Sequence, residues 1–314
     1  MDIPALFSLD ARVALVTGGS RGIGRMITEG LLSQGATVYI TARKEEACRA
    51  TADELSQQYG EGRCVALPGD VSTTAGIAAL LAAFGEHESH LDILVNNAGA
   101  AWGEPFDDFP ESGWDKVMDL NVKAPFFLTQ AAKGLLLAGR ERSGHLAKVI
   151  NIASIDGIFV NPLETYPYAA SKAGLIHLTR RMAARLIREH IVVTAIAPGP
   201  FASNMNRAAR DDADNVARRV PAGRVGRDED MAGAAIYLAS RAGDYVVGAT
   251  IFTYGHASQW ASFEVDHTQG RGVMTHLRLY LRRENAHPHP RAWQAAWREA
   301  DLEPPSYESH YVLL

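Results

Sequence analysis

Tyr168 and Lys172 stand four residues apart in the run Tyr168-Ala169-Ala170-Ser171-Lys172. On a helix that spacing places both side chains on one face, one turn from each other. A phenol titrates near pH ~10 when unperturbed. A fixed ammonium beside it favours the phenolate and lowers that value. The pair therefore has the makings of a proton donor and acceptor that works near neutrality, as general acid–base chemistry requires. The same spacing also occurs by chance on solvated helices, so the pair gains meaning only from the elements that position it.

Those elements begin near the N-terminus. Arg12 to Thr17 is a short apolar, β-branched run that reads as a buried strand. Gly18-Gly19-Ser20-Arg21-Gly22-Ile23-Gly24 follows at once, and Arg25 to Gln34 then has helical spacing. Strand, glycine loop and helix in that order form a phosphate cradle. The glycines let the backbone approach a pyrophosphate, and the helix N-terminus supplies N–H donors and a positive dipole end. A second strand, Thr37 to Thr41, ends at Ala42-Arg43 with no acidic residue, where dinucleotide folds meet the adenosine ribose. Arginine at that point suits the 2′-phosphate of NADP. With Arg21 in the glycine loop, two guanidiniums are available to a phosphate dianion, so NADP(H) is the expected cofactor.

The pattern continues to alternate. Helices are expected over 45–58, 73–87, 112–138, 166–189 and 228–240, and strands over 63–67, 92–95, 148–153, 191–197 and 248–254. Alternation of this kind means βαβ crossovers and a parallel sheet covered by helices on both faces. In such sheets ligands bind at the carboxyl ends of strands. Gly18, Arg43, Asp70, Asn97, Ser154 and Pro198-Gly199 all follow strand ends, and Asn121 and Tyr168 lie on the helices that come after.

Composition sets the outer bounds. The 314 residues are 47% hydrophobic and 21% charged, with net charge −5, which fits a soluble globular protein with one large core, or one core plus an appendage. No basic excess points to nucleic acid. Cys48 and Cys64 make no disulfide framework and suit a reducing, cytoplasmic setting. The first residues lack a basic stretch followed by an apolar block, so no signal peptide is expected. No apolar run is long enough to span a membrane. No metal site is expected.

TGGSRGIG at 17–24, Asp70-Val71, NNAG at 96–99, Asn121, Ser154, YAASK at 168–172 and Pro198-Gly199 together resemble the classical short-chain dehydrogenase/reductases over roughly residues 8–258. The resemblance implies one Rossmann-like, doubly wound domain with a seven-stranded parallel sheet, assembled as a homotetramer or homodimer through the two long helices. It implies a catalytic tetrad of Asn121, Ser154, Tyr168 and Lys172. In that scheme Tyr168 exchanges a proton with the carbonyl oxygen, and Ser154 bonds the same oxygen. Lys172 lowers the tyrosine pKa and holds the nicotinamide ribose, while Asn121 holds a relay water. The implied cofactor contacts are Gly18, Ser20, Arg21, Gly22, Ile23, Gly24, Arg43, Asp70, Val71, Asn97, Ala98, Gly99, Tyr168, Lys172, Pro198, Gly199, Phe201 and Ser203. The secondary reading of Asn97 is a tie between strands, and that of Ser203 the cap of a turn.

Three features depart from the family pattern. Thirteen residues separate Ser154 from Tyr168, one more than is usual; Tyr166, the competing tyrosine, would leave eleven and does not stand four before Lys172. Thr253-Tyr254-Gly255-His256 stands where Asp-Gly-Gly is common. The chain also continues through about 259–314, a segment with His267, His276, His287, His289 and His310, six arginines and no lysine. Within it 272–281 reads as a strand or short helix and 290–300 as a helix. The segment could pack on a neighbouring subunit, cover the active site or be partly disordered, and a shifted reading frame past Tyr254 would produce the same change in composition.

Within the family the chain resembles bacterial and fungal-type β-ketoacyl reductases, including the rhamnolipid-associated type. This implies NADPH-dependent reduction of a 3-oxoacyl thioester. Residues 200–225 form the expected substrate lid. Phe201, Met205 and Ala208-Ala209 are suited to an acyl chain. Arg207, Arg210, Arg218 and Arg219, with Arg140, are suited to an acyl carrier protein or a phosphopantetheine phosphate. The arginines read first as a solvated face balanced by Asp211, Asp212 and Asp214. A dehydrogenase of a polyol, sugar acid or cyclic ketone is the alternative, and a cofactor-binding regulator without turnover is a third reading.

Overall fold

The computed structural model describes residues 1–255. The extension 259–314, with its histidines and its expected strand and helix, lies outside the described residues. The chain divides into two units, Met1–His256 and Ala257–Leu314.

Seven strands form one parallel sheet in the order β3-β2-β1-β4-β5-β6-β7. They are β1 Val13–Thr17, β2 Thr37–Thr41, β3 Cys64–Ala66, β4 Ile93–Asn96, β5 Ala147–Ile152, β6 Ile191–Pro198 and β7 Thr250–Thr253. Every residue of β1, β4, β5 and β6 is buried. That is why these strands read as continuous apolar runs rather than alternating ones. The helices are α1 Ile3–Phe7, α2 Gly22–Ser33, α3 Glu45–Tyr59, α4 Thr74–Gly85, α5 Glu111–Met118, α6 Ala124–Ser143, α7 Tyr166–Leu186, α8 Arg207–Asp211, α9 Ala213–Ala217 and α10 Asp228–Ala239.

Each face of the sheet carries a core. One includes Ile27 and Leu31 of α2, Leu55 of α3 and Met231 and Leu238 of α10. The other includes Leu80 and Phe84 of α4 and Leu128 and Leu136 of α6. Helices α2 and α10 approach closely at Gly30, where an added Cβ would lie 2.8 Å from the Ala232 Cβ. At the amino edge of the sheet a buried Arg12–Asp92 pair (3.1 Å) ties β1 to β4, and Asp92 also accepts from the Val13 N–H at 2.8 Å.

The alternation and the seven parallel strands follow the sequence reading, with one correction. The single helix expected over 112–138 is two helices joined by a π-helical turn, Asp119–Lys123, which contains Asn121. Strand order reverses between β1 and β4. In open α/β sheets that is the crevice where ligands bind.

Candidate active site

The glycine loop leaves β1 and enters α2 with two left-handed turns, Gly18 at φ +67° and Gly22 at φ +53°. Side chains rarely adopt that conformation. At Gly24 the constraint is space, since an added Cβ would stand 2.1 Å from the Gly18 carbonyl oxygen. The α2 N-cap, Arg21, makes no side-chain capping bond. The first N–H groups of the helix therefore lack a side-chain partner from the cap and can serve an anion. Arg21 and Arg43 are both exposed and neither makes a salt bridge among the described residues. A bare cradle and two free guanidiniums fit a phosphorylated dinucleotide.

The loop is braced from the neighbouring strand. Asn97 donates its amide to the carbonyls of Thr17 (2.8 Å) and Gly18 (3.2 Å), and the Thr17 hydroxyl accepts from the N–H groups of Asn97 and Ala98 (2.9 Å each). Asn97 thus acts as a tie between strands. On the other side the Thr51 hydroxyl of α3 donates to the Ser20 carbonyl at 3.1 Å. Asp70 is exposed and accepts from the Ser72 N–H at 3.0 Å, whereas the Val71 side chain is buried in the core.

Tyr168 and Lys172 occupy the first turns of α7, where Pro167 is tolerated because the first N–H groups of a helix lack intrahelical partners. Ser154 follows β5 and caps the short turn Ile155–Gly157 by accepting from the Asp156 N–H at 3.1 Å. Its hydroxyl also hydrogen-bonds Tyr168. The longer Ser–Tyr spacer is therefore absorbed in the loop. Tyr166 does not compete, since it is exposed, bonds Glu164 at 3.0 Å and packs its ring against Phe106 and Phe109.

Lys172 is buried, and its Nζ donates to the Ile152 carbonyl at 2.7 Å. It stands 5.6 Å from the centroid of the Tyr168 ring. Burial lowers its pKa to about 8. The expectation that Lys172 depresses the tyrosine is corrected here. Desolvation dominates at Tyr168 and raises it to about 12, against the lowering effect of the Ser154 hydrogen bond.

Asn121 reaches this centre because the π turn redirects it. Its Oδ1 accepts from the Ala100 N–H at 2.8 Å, and its Nδ2 donates to the Ala100 carbonyl and the Ser171 hydroxyl at 2.9 Å each. π turns recur at functional sites. Gly99 marks how close these groups come, since an added Cβ would meet Asn121 Oδ1 at 3.2 Å and Lys172 Nζ at 3.7 Å. Sequence reasoning missed Ser171, Thr17 and the Ala100 backbone. Only Ser171 carried a local signal, standing three residues after Tyr168 and so able to reach back to its carbonyl.

Beyond β6, Gly199 lies against Tyr254, whose Cβ would be 2.2 Å from an added Cβ. Ser203 accepts from the Asn206 N–H at 3.0 Å and sits beside Gly22. Phe201 is a second correction. Its ring is buried in the core over Gly226 and is not free to take an acyl chain. In the lid, Met205 is exposed and Ala209 buried. Arg210 is held by Asp211 and Asn204, and Arg218 bonds Asn215, whereas the Arg207 side chain makes no hydrogen bond among the described residues.

The family model described as short chain dehydrogenase matches residues 12–214. A Pseudomonas aeruginosa rhamnolipids biosynthesis 3-oxoacyl-[acyl-carrier-protein] reductase is 48% identical over 250 residues, covering 78% of this chain and 95% of that protein. An Escherichia coli 2-dehydro-3-deoxy-D-gluconate 5-dehydrogenase is 38% identical, covering 81% of this chain and 98% of its own length. Among solved structures, a Pseudomonas aeruginosa RhlG/NADP active-site complex superposes with a TM-score of 0.76 at 47% identity, over 80% of this chain and 98% of that one. A Burkholderia cenocepacia gluconate 5-dehydrogenase in complex with NADP and tartrate gives 0.73 at 36% identity, over 81% and 98%.

Proposed function

The chain belongs to the short chain dehydrogenase family, and from that premise we propose an NADPH-dependent reductase of 3-oxoacyl thioesters. The observation that carries the reading is the meeting of Ser154, Tyr168 and Lys172 at the carboxyl ends of the central strands, beside the bare glycine cradle.

NADPH supplies the hydride. The glycine loop (Gly18, Ser20, Gly22, Ile23, Gly24) and the α2 N-terminus hold the pyrophosphate, and Arg21 and Arg43 hold the 2′-phosphate. Asp70 and the Val71 backbone meet the adenine, Asn97, Ala98 and Gly99 line the crevice, and Pro198, Gly199, the Phe201 backbone and Ser203 close its far side. The Ser154 hydroxyl donates to the substrate carbonyl oxygen and stabilises the charge that develops there. The Tyr168 hydroxyl delivers its proton to the same oxygen, leaving a secondary alcohol. Because its pKa lies near 12, Tyr168 is fully protonated at neutrality and ready as the acid. Lys172, still mostly charged at pH 7, stabilises the phenolate left behind. Asn121 positions the water that returns the proton.

The catalytic domain spans 1–258, followed by the separate extension 259–314. The protein works in the cytoplasm as a homotetramer or homodimer through α6 and α7, with exposed Trp114 and Phe126 as candidate contacts, and acyl carrier protein delivers the substrate. Among the described residues no helix is long and apolar enough to cross a membrane. The alternative, a sugar-acid dehydrogenase, draws on the gluconate-named relatives.

The test is NADPH consumption at neutral pH with acetoacetyl and longer 3-oxoacyl thioesters, run beside NADH. Turnover with NADPH well above that with NADH is expected. NADPH binding with no turnover of any 3-oxoacyl thioester would overturn the acyl reading and leave the cofactor assignment standing.

A further inference from the structure

Two loops on the substrate side carry side chains that neither the cofactor nor the proton chemistry uses. One follows β4 and spans residues 101–109. The other spans residues 155–167 and runs in the chain from catalytic Ser154 to catalytic Tyr168. They are joined into one wall. The Glu104 N–H donates to the Glu164 carbonyl at 3.3 Å, and the Tyr166 ring meets Phe106 and Phe109 edge-on at 5.5 and 5.8 Å.

This wall exposes large apolar side chains beside its acids. Of the 12 large hydrophobic side chains exposed among the described residues, Phe106, Ile158, Val160, Leu163 and Tyr166 lie in these two loops, with Val160 100% and Leu163 69% exposed. A cluster of that kind marks a binding surface more often than scattered apolar residues do. Its charges all have one sign. Glu104, Asp107, Asp108, Asp156 and Glu164 lie in the loops, with no lysine or arginine in either. The next cation along the chain from the first loop, Lys116, is stacked over the Trp102 ring at 4.9 Å. An anionic substrate entering along this wall meets only like charge, whereas an uncharged chain gains the burial of its methylenes.

We propose that this wall is the chain subsite. It takes the unbranched, uncharged alkyl chain of the acyl group beyond its first carbons, and it disfavours substrates that present a carboxylate there, sugar acids included. The inference rests on the acyl-thioester reading above and adds chain-length selection to it. Its determinants are Val160, Leu163 and Ile158.

The experiment compares kcat/KM for the N-acetylcysteamine thioesters of 3-oxobutanoate and 3-oxooctanoate in the full-length protein and in Val160→Ser/Leu163→Ser. Both thioesters are uncharged, so lid arginines cannot distinguish them. Each methylene buried is worth roughly fourfold. The wild type should favour the longer chain by at least about tenfold, and the variant should lose roughly tenfold of that preference, mainly through KM. Ile158→Ser serves as a second variant should the first fold poorly by circular dichroism.

A preference unchanged in the folded variants overturns the inference. So does a wild type that turns over a 5-keto sugar acid as fast as the longer thioester. A shift in oligomeric mass with the preference intact makes the wall a subunit contact, and the inference fails. Turnover of neither thioester by the wild type removes the acyl reading itself, whereas turnover of both with an unchanged preference removes only the chain subsite.

Discussion

Asn121 donates its side-chain amide to the Ser171 hydroxyl at 2.9 Å, and Ser171 donates in turn to the Tyr168 carbonyl at 2.7 Å. Ser171 is completely buried. It therefore fixes the orientation of Asn121 and the backbone of Tyr168 at once without touching substrate, as a positioning residue. Ser171→Ala removes one buried hydrogen bond, worth about 1 kcal/mol, while Asn121 keeps both bonds to Ala100. The expected outcome is a kcat lowered roughly fivefold with KM for NADPH unchanged, read by steady-state kinetics. Loss of NADPH affinity instead would show that Ser171 acts on the cradle.

Arg21 and Arg43 are predicted to set nucleotide preference. Both are exposed and free of salt bridges among the described residues, so replacing either disturbs no internal contact. Arg21→Ala and Arg43→Ala should each raise KM for NADPH by about tenfold, as expected for a charge-assisted phosphate contact of roughly 1.5 kcal/mol or more. KM for NADH should stay within twofold. Equal losses with both nucleotides would contradict the assignment.

Lys172 should couple stability to pH. Its folded pKa, about 8, lies below the ordinary lysine value of 10.5. Between those values the unfolded chain binds more protons than the folded one, so the lysine's contribution to stability rises with pH through that window and is unfavourable below it. Lys172→Met should therefore raise the melting temperature at pH 7, by an amount corresponding to roughly 1–3 kcal/mol, with the advantage shrinking toward pH 10. Thermal unfolding at several pH values checks this, and a variant less stable at pH 7 would refute it.

The same burial shapes activity. Tyr168, raised to about 12, stays protonated across neutrality, so the first of the two groups to titrate as pH rises is Lys172 at about 8. A plot of kcat/KM for NADPH reports the free enzyme. It should be flat from pH 6 to 7.5 and fall above about pH 8. A fall that began only above pH 10 would assign the limb to the tyrosine.

Gly24→Ala tests the cradle by space alone. The new Cβ would stand 2.1 Å from a backbone oxygen, which no rotamer change relieves. The variant should lose measurable NADPH binding by fluorescence titration, with or without loss of folded protein. A variant binding with unchanged affinity would mean that the loop adopts another path.

Much of this site could be read along the chain because its parts are local. A strand, a glycine loop and a helix start are contiguous, so the Gly18–Gly24 cradle and the Tyr168–Lys172 pair each declare themselves within one short stretch. Alternating apolar segments likewise determine a parallel sheet, since buried strands and crossover helices have different periods.

What only tertiary structure decided are the balances between groups far apart in sequence. The sign of the Tyr168 shift depended on how much water the fold removes from the phenol, against a lysine whose ammonium is turned to the Ile152 carbonyl. Asn121, on the π turn, is held by partners at Ala100 and Ser171, 21 and 50 residues away. Phe201 looked available until Gly226 closed over it. Local spacing determines which groups a segment presents. Desolvation and hydrogen-bond partners come from the rest of the chain, and these decide what the groups can do.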